Sequence, residues 1–194
     1  MNTFAHIKPI AQYNKVSYYS VCIEGNEISL FEEFITHHTS TNKEKLNHVL
    51  DWIKLIGNKY GAQSHLFRPE GETADASALP PKGIERKPHY TEYGKKKANN
   101  IRLYCLRANE NVVFLFNGDI KTAHYAQDCP NVRKHFKLAN KLTKAIDSAF
   151  ANNKKITVPF RDPNNTHVFH QYTLLVEDVN RDALHQYLAD NGVP

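Results

Sequence analysis

A predicted β-hairpin in the middle of the chain constrains the fold more than any other segment. Its first strand, IRLYCLR (101–107), alternates between two faces, and its second, VVFLF (112–116), is apolar at every position. A strand that is apolar on both faces has no side to present to solvent, so it belongs inside a sheet. With turn residues at 109–111 between the strands, the segment predicts an antiparallel hairpin whose second strand is central.

The residues before the hairpin predict a strand and two helices. VSYYSVCI (16–23) is β-branched and aromatic, as strands are, and ISLFEEFITHH (28–38) has apolar residues at helical spacing. A second helix is predicted to begin at a T-x-x-E capping box, formed by Thr41 and Glu44, and to end near Gly61. Its apolar stripe is expected to lie in the core.

These elements predict an α+β protein with one main domain and two flanking segments. A third, basic helix opens at Pro130 and closes the main domain, which spans residues 16–152. Within it, residues 69–94 are polar and rich in Pro and Gly, and we expect a long, disordered loop there. Residues 1–15 are expected to be irregular, and residues 153–194 are predicted to form a separate strand–helix tail.

Positive charge is concentrated in one part of the chain. Residues 95–144 carry eleven Lys and Arg but three acidic residues, a net charge of +8, whereas the whole chain carries +5. A basic block on an otherwise slightly acidic chain indicates a polyanionic partner. The alternative is a set of solvated helix faces.

The composition argues against a membrane or secreted protein. No stretch approaches the roughly 20 apolar residues that span a bilayer, and the N-terminus lacks the pattern of a secretory signal. Three cysteines without C-x-x-C spacing indicate free thiols in a reducing compartment. We therefore expect a cytoplasmic protein with no membrane partner.

The eleven histidines do not predict a metal site. His37 and His38 are adjacent, and adjacent side chains do not share a helix face. His167 and His170 would point to opposite faces of a strand. Gly-rich phosphate-binding motifs are absent as well. The expectation from sequence is therefore no metal and no cofactor.

Three segments of the main domain resemble the RelE/ParE/HigB superfamily of toxins from type II toxin–antitoxin modules. They are the helix ending NKYG with LFRPEG after it, the segment NIRLYCLRANENVVFLFNGDIKTA, and the closing basic helix. The resemblance covers roughly residues 16–152. It implies a small twisted antiparallel sheet packed on helices, with the strand–helix tail as an appendage. It also implies a metal-independent endoribonuclease that cuts messenger RNA on the ribosome and is restrained by a cognate antitoxin.

The resemblance also implies site residues. Arg102 and Lys121 would stabilise the charge on phosphate, and His124 or Tyr125 would act as acid or base. The remaining RNA-binding side chains would be Lys96, Lys97, Arg107, Arg133 and Lys137. The cations of the hairpin are expected to gather on one open face.

The last 35 residues resemble a different family, the DegT/StrS-type aminotransferases that use pyridoxal phosphate. The matching positions are His167, His170, Tyr172, Arg181, Asp182, Gly192 and Val193. The lysine and phosphate-binding motifs of that family have no counterpart in the chain. The resemblance therefore implies a fragment of such an enzyme without its activity.

Two alternatives to the toxin stay open. In the first, the basic face binds nucleic acid or an acidic protein without cutting anything. In the second, the chain is a truncated or fused gene product that carries a non-functional aminotransferase fragment.

Overall fold

In the computed structural model the chain forms two compact units. The first comprises residues 1–145 and the second residues 146–194. Within them, the described residues are 5–71, 74–151, 156–157, 175–176 and 186.

A six-stranded sheet forms the centre of the first unit. In chain order its strands are β1 (Ala5–Gln12), β2 (Ser17–Ile23), β3 (Arg68–Pro69), β4 (Ser77–Leu79), β7 (Ile101–Arg107) and β8 (Val112–Ile120). Across the sheet they are arranged in the order β1-β2-β8-β7-β4-β3. A separate pair, β5 (Thr91–Glu92) and β6 (Lys95–Lys96), lies in the segment between β4 and β7. The α+β class and the hairpin with a central second strand are confirmed.

The prediction of a purely antiparallel sheet is wrong. β2 and β8 run parallel, with Tyr18 opposite Val113, whereas the other pairs in the sheet are antiparallel. A parallel pair needs a long crossover connection. Here the helices between β2 and β7 form part of that connection. Side-chain patterns alone do not reveal whether two paired strands run parallel or antiparallel.

Helices cover both faces of the sheet in the first unit. α1 (Leu30–Thr41) and α2 (Lys43–Leu55) pack on one face, and a short π-helical turn, Ile56–Tyr60, continues α2. Their apolar residues join the inward positions of β7 and β8 in a single core. On the opposite face, Phe136 of α3 (Pro130–Ala151) contacts the ring of Tyr104 at 5.6 Å between centroids. The hairpin is therefore buried from both sides.

The capping box lies in α1 and not in α2. Ser29 Oγ accepts a hydrogen bond from the backbone amide of Glu32, whose carboxylate accepts one from the Ser29 amide. α2 begins after Asn42, which makes no capping hydrogen bond through its side chain. The T-x-x-E prediction failed because α1 extends through Thr41 and places that residue in its last turn.

Two segments predicted to lack regular structure contain strands. Residues 5–12 form β1, an edge strand that is mostly exposed, so its side chains show no apolar alternation. In the predicted loop at 69–94, β4 pairs with β7, and Leu79 is fully buried. The prediction of disorder is wrong for the described residues around β4, because this strand extends the sheet beyond β7.

A β-bulge in β8 changes which face its last residues occupy. Leu103 pairs with Gly118, but Cys105 pairs with Leu115, so β8 has one extra residue between those pairs. Such an insertion reverses the alternation of side chains beyond it. As a result, Asp119 becomes the cross-strand partner of Arg102.

The second unit contains the end of α3 and a short antiparallel pair, β9 (Ile156–Thr157) with β10 (Leu175–Val176). The positions that resemble the aminotransferases lie outside the described residues. In the part of the chain that the structure describes, no helix combines the length and apolarity that crossing a membrane requires.

Candidate functional site

Glu70 is the centre of a buried cluster of cations. Its side chain is 1% exposed and follows β3 at the edge of the sheet. Arg102 Nε donates to Glu70 Oε1 at 2.7 Å, and Arg68 Nε lies 3.0 Å from the same oxygen. Lys121 Nζ donates to Oε2. Three cations therefore share one carboxylate.

This cluster is short of negative charge. Burial lowers the pKa of Arg68, and the charge on Arg102 lowers it further, while Glu70 raises it. Among the described residues, Arg68 Nε has no aligned hydrogen-bond acceptor despite its short distance to Glu70. Because an uncompensated charge in poorly solvated surroundings is costly, the cluster favours a second anion.

A cavity of about 1030 Å³ opens beside the cluster. Helix α3 forms one wall, where Asn140 Oδ1 accepts from the backbone amides of Asp75 and Ala76. With His124 neutral, the described side chains that line the cavity carry a net charge of +3. The charged ones are Arg68, Glu70, Asp75, Lys82, Arg102, Lys121 and Lys144.

The structure brings together the four residues that were predicted to be catalytic. Arg102, Lys121, His124 and Tyr125 all line this cavity. His124 and Tyr125 are exposed and stand edge to face, with ring centroids 4.6 Å apart. The cavity wall thus combines cations with an imidazole and a phenol.

No protein-family model, curated protein or solved structure matches this chain. The resemblances to toxins and aminotransferases therefore depend on their sequence motifs alone. What the cavity does has to be inferred from its own geometry and charge.

Arg102 and Lys121 share a site, but they are not free cations on an open face. The Arg102 side chain is 8% exposed and that of Lys121 is 11% exposed. Arg102 Nη1 also donates to the carbonyl oxygens of Asn99 and Ile101. The expectation of an open face failed because Glu70, from the segment predicted to be a disordered loop, folds over both side chains.

Two predicted RNA-binding lysines lie away from this cavity. Lys96 forms an ion pair with Glu85 at 2.8 Å. Lys97 forms one with Glu92 at 2.6 Å. Both lie at exposed positions in the β5–β6 region, where ion pairs with local acids already engage their charge.

The other three predicted RNA-binding residues are also outside the cavity lining. Arg107 Nε donates to the carbonyl of Ala62 at the far end of β7. Arg133 and Lys137 are exposed on α3. The basic face of α3 is confirmed as an exposed face, but among its cations Lys144 is the one that lines the cavity.

Sequence reasoning missed Arg68, Glu70, Lys82 and Lys144. The available signal was Arg68-Pro-Glu70, two opposite charges at the start of the predicted loop. A buried carboxylate outside a periodic element has no pattern that distinguishes it from a solvated one. Its role becomes visible only when β3 joins the sheet.

Potential metal ligands gather at a second place. Ligand atoms of His37, His38 and Asp119 all lie within 4.8 Å of one another. His37 and His38 are adjacent in α1, yet their rings approach each other, with centroids 4.7 Å apart. Burial lowers the pKa of His38, and the neighbouring His37 lowers it further, whereas Asp119 raises it.

Proposed function

We propose that the cavity binds the phosphate backbone of RNA. The observation that carries this proposal is the set of three cations on one buried carboxylate at the cavity wall. A phosphodiester would supply the missing negative charge, and guanidinium groups suit phosphate oxygens. The volume, about 1030 Å³, is of the size that holds a nucleotide-sized ligand.

We further propose that the bound RNA is cut without a metal ion. Cleavage needs a base for the ribose 2′-hydroxyl, an acid for the leaving 5′-oxygen and positive charge near the phosphorane. His124 and Tyr125 supply the acid–base groups, and Lys121 with Arg102 supplies the charge. The resemblance to RelE/HigB toxins suggests messenger RNA on the ribosome as substrate and a cognate antitoxin as partner.

One observation favours a second candidate, a binding module that does not cut. Glu70 already neutralises part of the charge on Arg102 and Lys121. Cations held by a carboxylate stabilise a developing phosphorane less than free ones do. Binding without cleavage would then be the function of the same cavity.

Binding is tested with labelled single-stranded RNA and the full chain, by fluorescence anisotropy at several salt concentrations. Lys82 and Lys144 are exposed cavity residues, so replacing both by Ala leaves the buried cluster intact. Losing two phosphate contacts would lower the slope of log affinity against log salt by about 1.4. The control is the Lys54→Ala/Lys141→Ala double variant, which removes the same charge from exposed positions outside the cavity. Equal effects of the two double variants would contradict the proposal.

Cleavage is tested by primer extension on a message translated in a cell-free system. The wild-type chain should produce new 5′ ends, and His124→Ala should slow their appearance by about 10²- to 10⁴-fold. His124 and Tyr125 are exposed, so His124→Ala and Tyr125→Phe should keep the fold and the RNA affinity. His65→Ala, an exposed histidine outside the cavity, serves as the control. RNA binding without cuts by the wild type would favour the non-catalytic module.

A further inference from the structure

The three potential ligands come from two segments that the fold brings together. His37 and His38 lie in the last turns of α1, which packs along β8. Asn117 Nδ2 donates to Glu33 Oε2 at 3.0 Å and fixes α1 beside this part of the strand. The bulge in β8 then determines on which face Asp119 emerges.

The ligand atoms are spaced for an ion between them. Asp119 Oδ1 lies 4.0 Å from Nε2 of His37 and 4.0 Å from Nε2 of His38. These distances are too long for hydrogen bonds. Two ligands on a tetrahedral Zn²⁺ lie about 3.3 Å apart, given bonds of about 2.0 Å. The His37 side chain is 64% exposed, and a small inward movement of its ring would bring Nε2 to the distance from Asp119 Oδ1 that a shared ion requires.

His38 gives an independent indication of a missing ligand. Its side chain is 0% exposed, and Nε2 has no hydrogen-bond partner among the described residues. A buried polar atom without a partner is rare and costly in native proteins. This atom faces Asp119, at the place where an ion would sit.

We propose that His37, His38 and Asp119 bind a divalent transition-metal ion, with Zn²⁺ the best fit and water as the fourth ligand. Imidazole nitrogens with one carboxylate oxygen are ligands that Zn²⁺ accepts. The ion would join α1 to β8 and would have a structural role. This proposal does not depend on the proposed RNA function.

The tautomer of His38 sets a condition for binding. Metal coordination through Nε2 requires the proton on Nδ1, which then needs an acceptor. Asn42 Nδ2 lies 3.1 Å from His38 Nδ1, and rotating the amide by half a turn presents Oδ1 there instead. The competing arrangement keeps the proton on Nε2, close to the Gly118 carbonyl.

The test is a titration of the full chain, freed of metal with a chelator, with Co²⁺ and Zn²⁺. Visible absorption reports tetrahedral Co²⁺, and calorimetry gives the stoichiometry and affinity for Zn²⁺. We expect one ion per chain, with affinity at least about tenfold weaker in His37→Ala and in Asp119→Asn. His37 is mostly exposed, so its loss should not disturb the fold. His65→Ala is the matched control.

Each possible result either supports or overturns the proposed metal site. An absence of tetrahedral Co²⁺ bands in the wild type would overturn the site and favour the proton on His38 Nε2. Binding that is equally strong in His37→Ala would assign the ion to other histidines and would also overturn it. RNA binding provides a separate readout, so failure here leaves that proposal standing.

Discussion

Arg102 and Asp119 are cross-strand partners, yet they belong to two regions of opposite chemistry. Around Arg102, three cations share the carboxylate of Glu70, and the adjoining cavity has an excess of positive charge. Around Asp119, two imidazoles and one carboxylate approach each other without hydrogen bonds between their ligand atoms. The first region has more cations than acidic groups, whereas the second brings together potential metal ligands.

One bulge in β8 contributes to both regions. Gly118 lies beside the extra residue, and the bulge pairs Asp119 with Arg102 at one rung of the ladder. From there the Arg102 guanidinium reaches Glu70, whereas the Asp119 carboxylate lies beside the last turns of α1. Paired positions in one ladder therefore have different chemical surroundings, because different elements contact their side chains.

The largest expected effect belongs to Gly118→Ala, which should damage both regions at once. A Cβ at this position would lie 1.7 Å from the carbonyl oxygen of Arg102, so the strands would have to separate. We expect the free energy of unfolding to fall by more than about 4 kcal/mol, measured by denaturant titration. Gly71→Ala is the control, since its added Cβ would meet Ala74 at an ordinary 3.6 Å. Equal unfolding midpoints for the two variants would show that the close approach at Gly118 is wrong.

Glu70→Gln should separate the two regions. It removes the carboxylate from three largely buried cations and should lower the free energy of unfolding by about 3 kcal/mol. In the folded fraction, RNA affinity should rise because the cavity becomes more positive, while Zn²⁺ affinity should stay the same. Glu85→Gln, which breaks an exposed ion pair with Lys96, should leave the unfolding midpoint nearly unchanged. A fall in RNA affinity would mean that Glu70 positions the cations and does not compete with the ligand.

Salt should affect the two ligands unequally. Raising NaCl from about 50 to 200 mM should weaken RNA binding strongly, because counterions are released when phosphates are neutralised. Zn²⁺ binds through direct bonds to nitrogen and oxygen and should respond far less. The measurement is anisotropy for RNA and calorimetry for Zn²⁺ in the same buffers. RNA binding that is insensitive to salt would argue against phosphate recognition.

The smallest expected effect is that of Asn42→Asp on Zn²⁺ affinity. A carboxylate facing His38 Nδ1 would hold the proton there and leave Nε2 free for the ion. We expect a severalfold gain in affinity by calorimetry, and a loss with Asn42→Ala. If both substitutions have no effect, Asn42 does not influence the His38 tautomer.

Local sequence patterns predicted much of the fold and part of the site. β7 spans the predicted residues 101–107, and the first predicted helix corresponds to α1. The resemblance brought Arg102, Lys121, His124 and Tyr125 into consideration, and all four line one cavity. β1 was missed because an edge strand exposed on both sides shows no alternation of apolar and polar side chains.

By itself, the sequence determined the α+β class, the central hairpin and the concentration of basic residues, because these follow from side-chain period and composition. Only the tertiary structure decided the parallel pairing of β2 with β8, the place of Glu70 among the cations and the approach of His37 and His38 to Asp119. Those features depend on contacts between residues far apart in the chain, such as Glu70 and Arg102, and on a one-residue bulge that reverses a strand's faces. Neither has a local pattern that periodicity can detect.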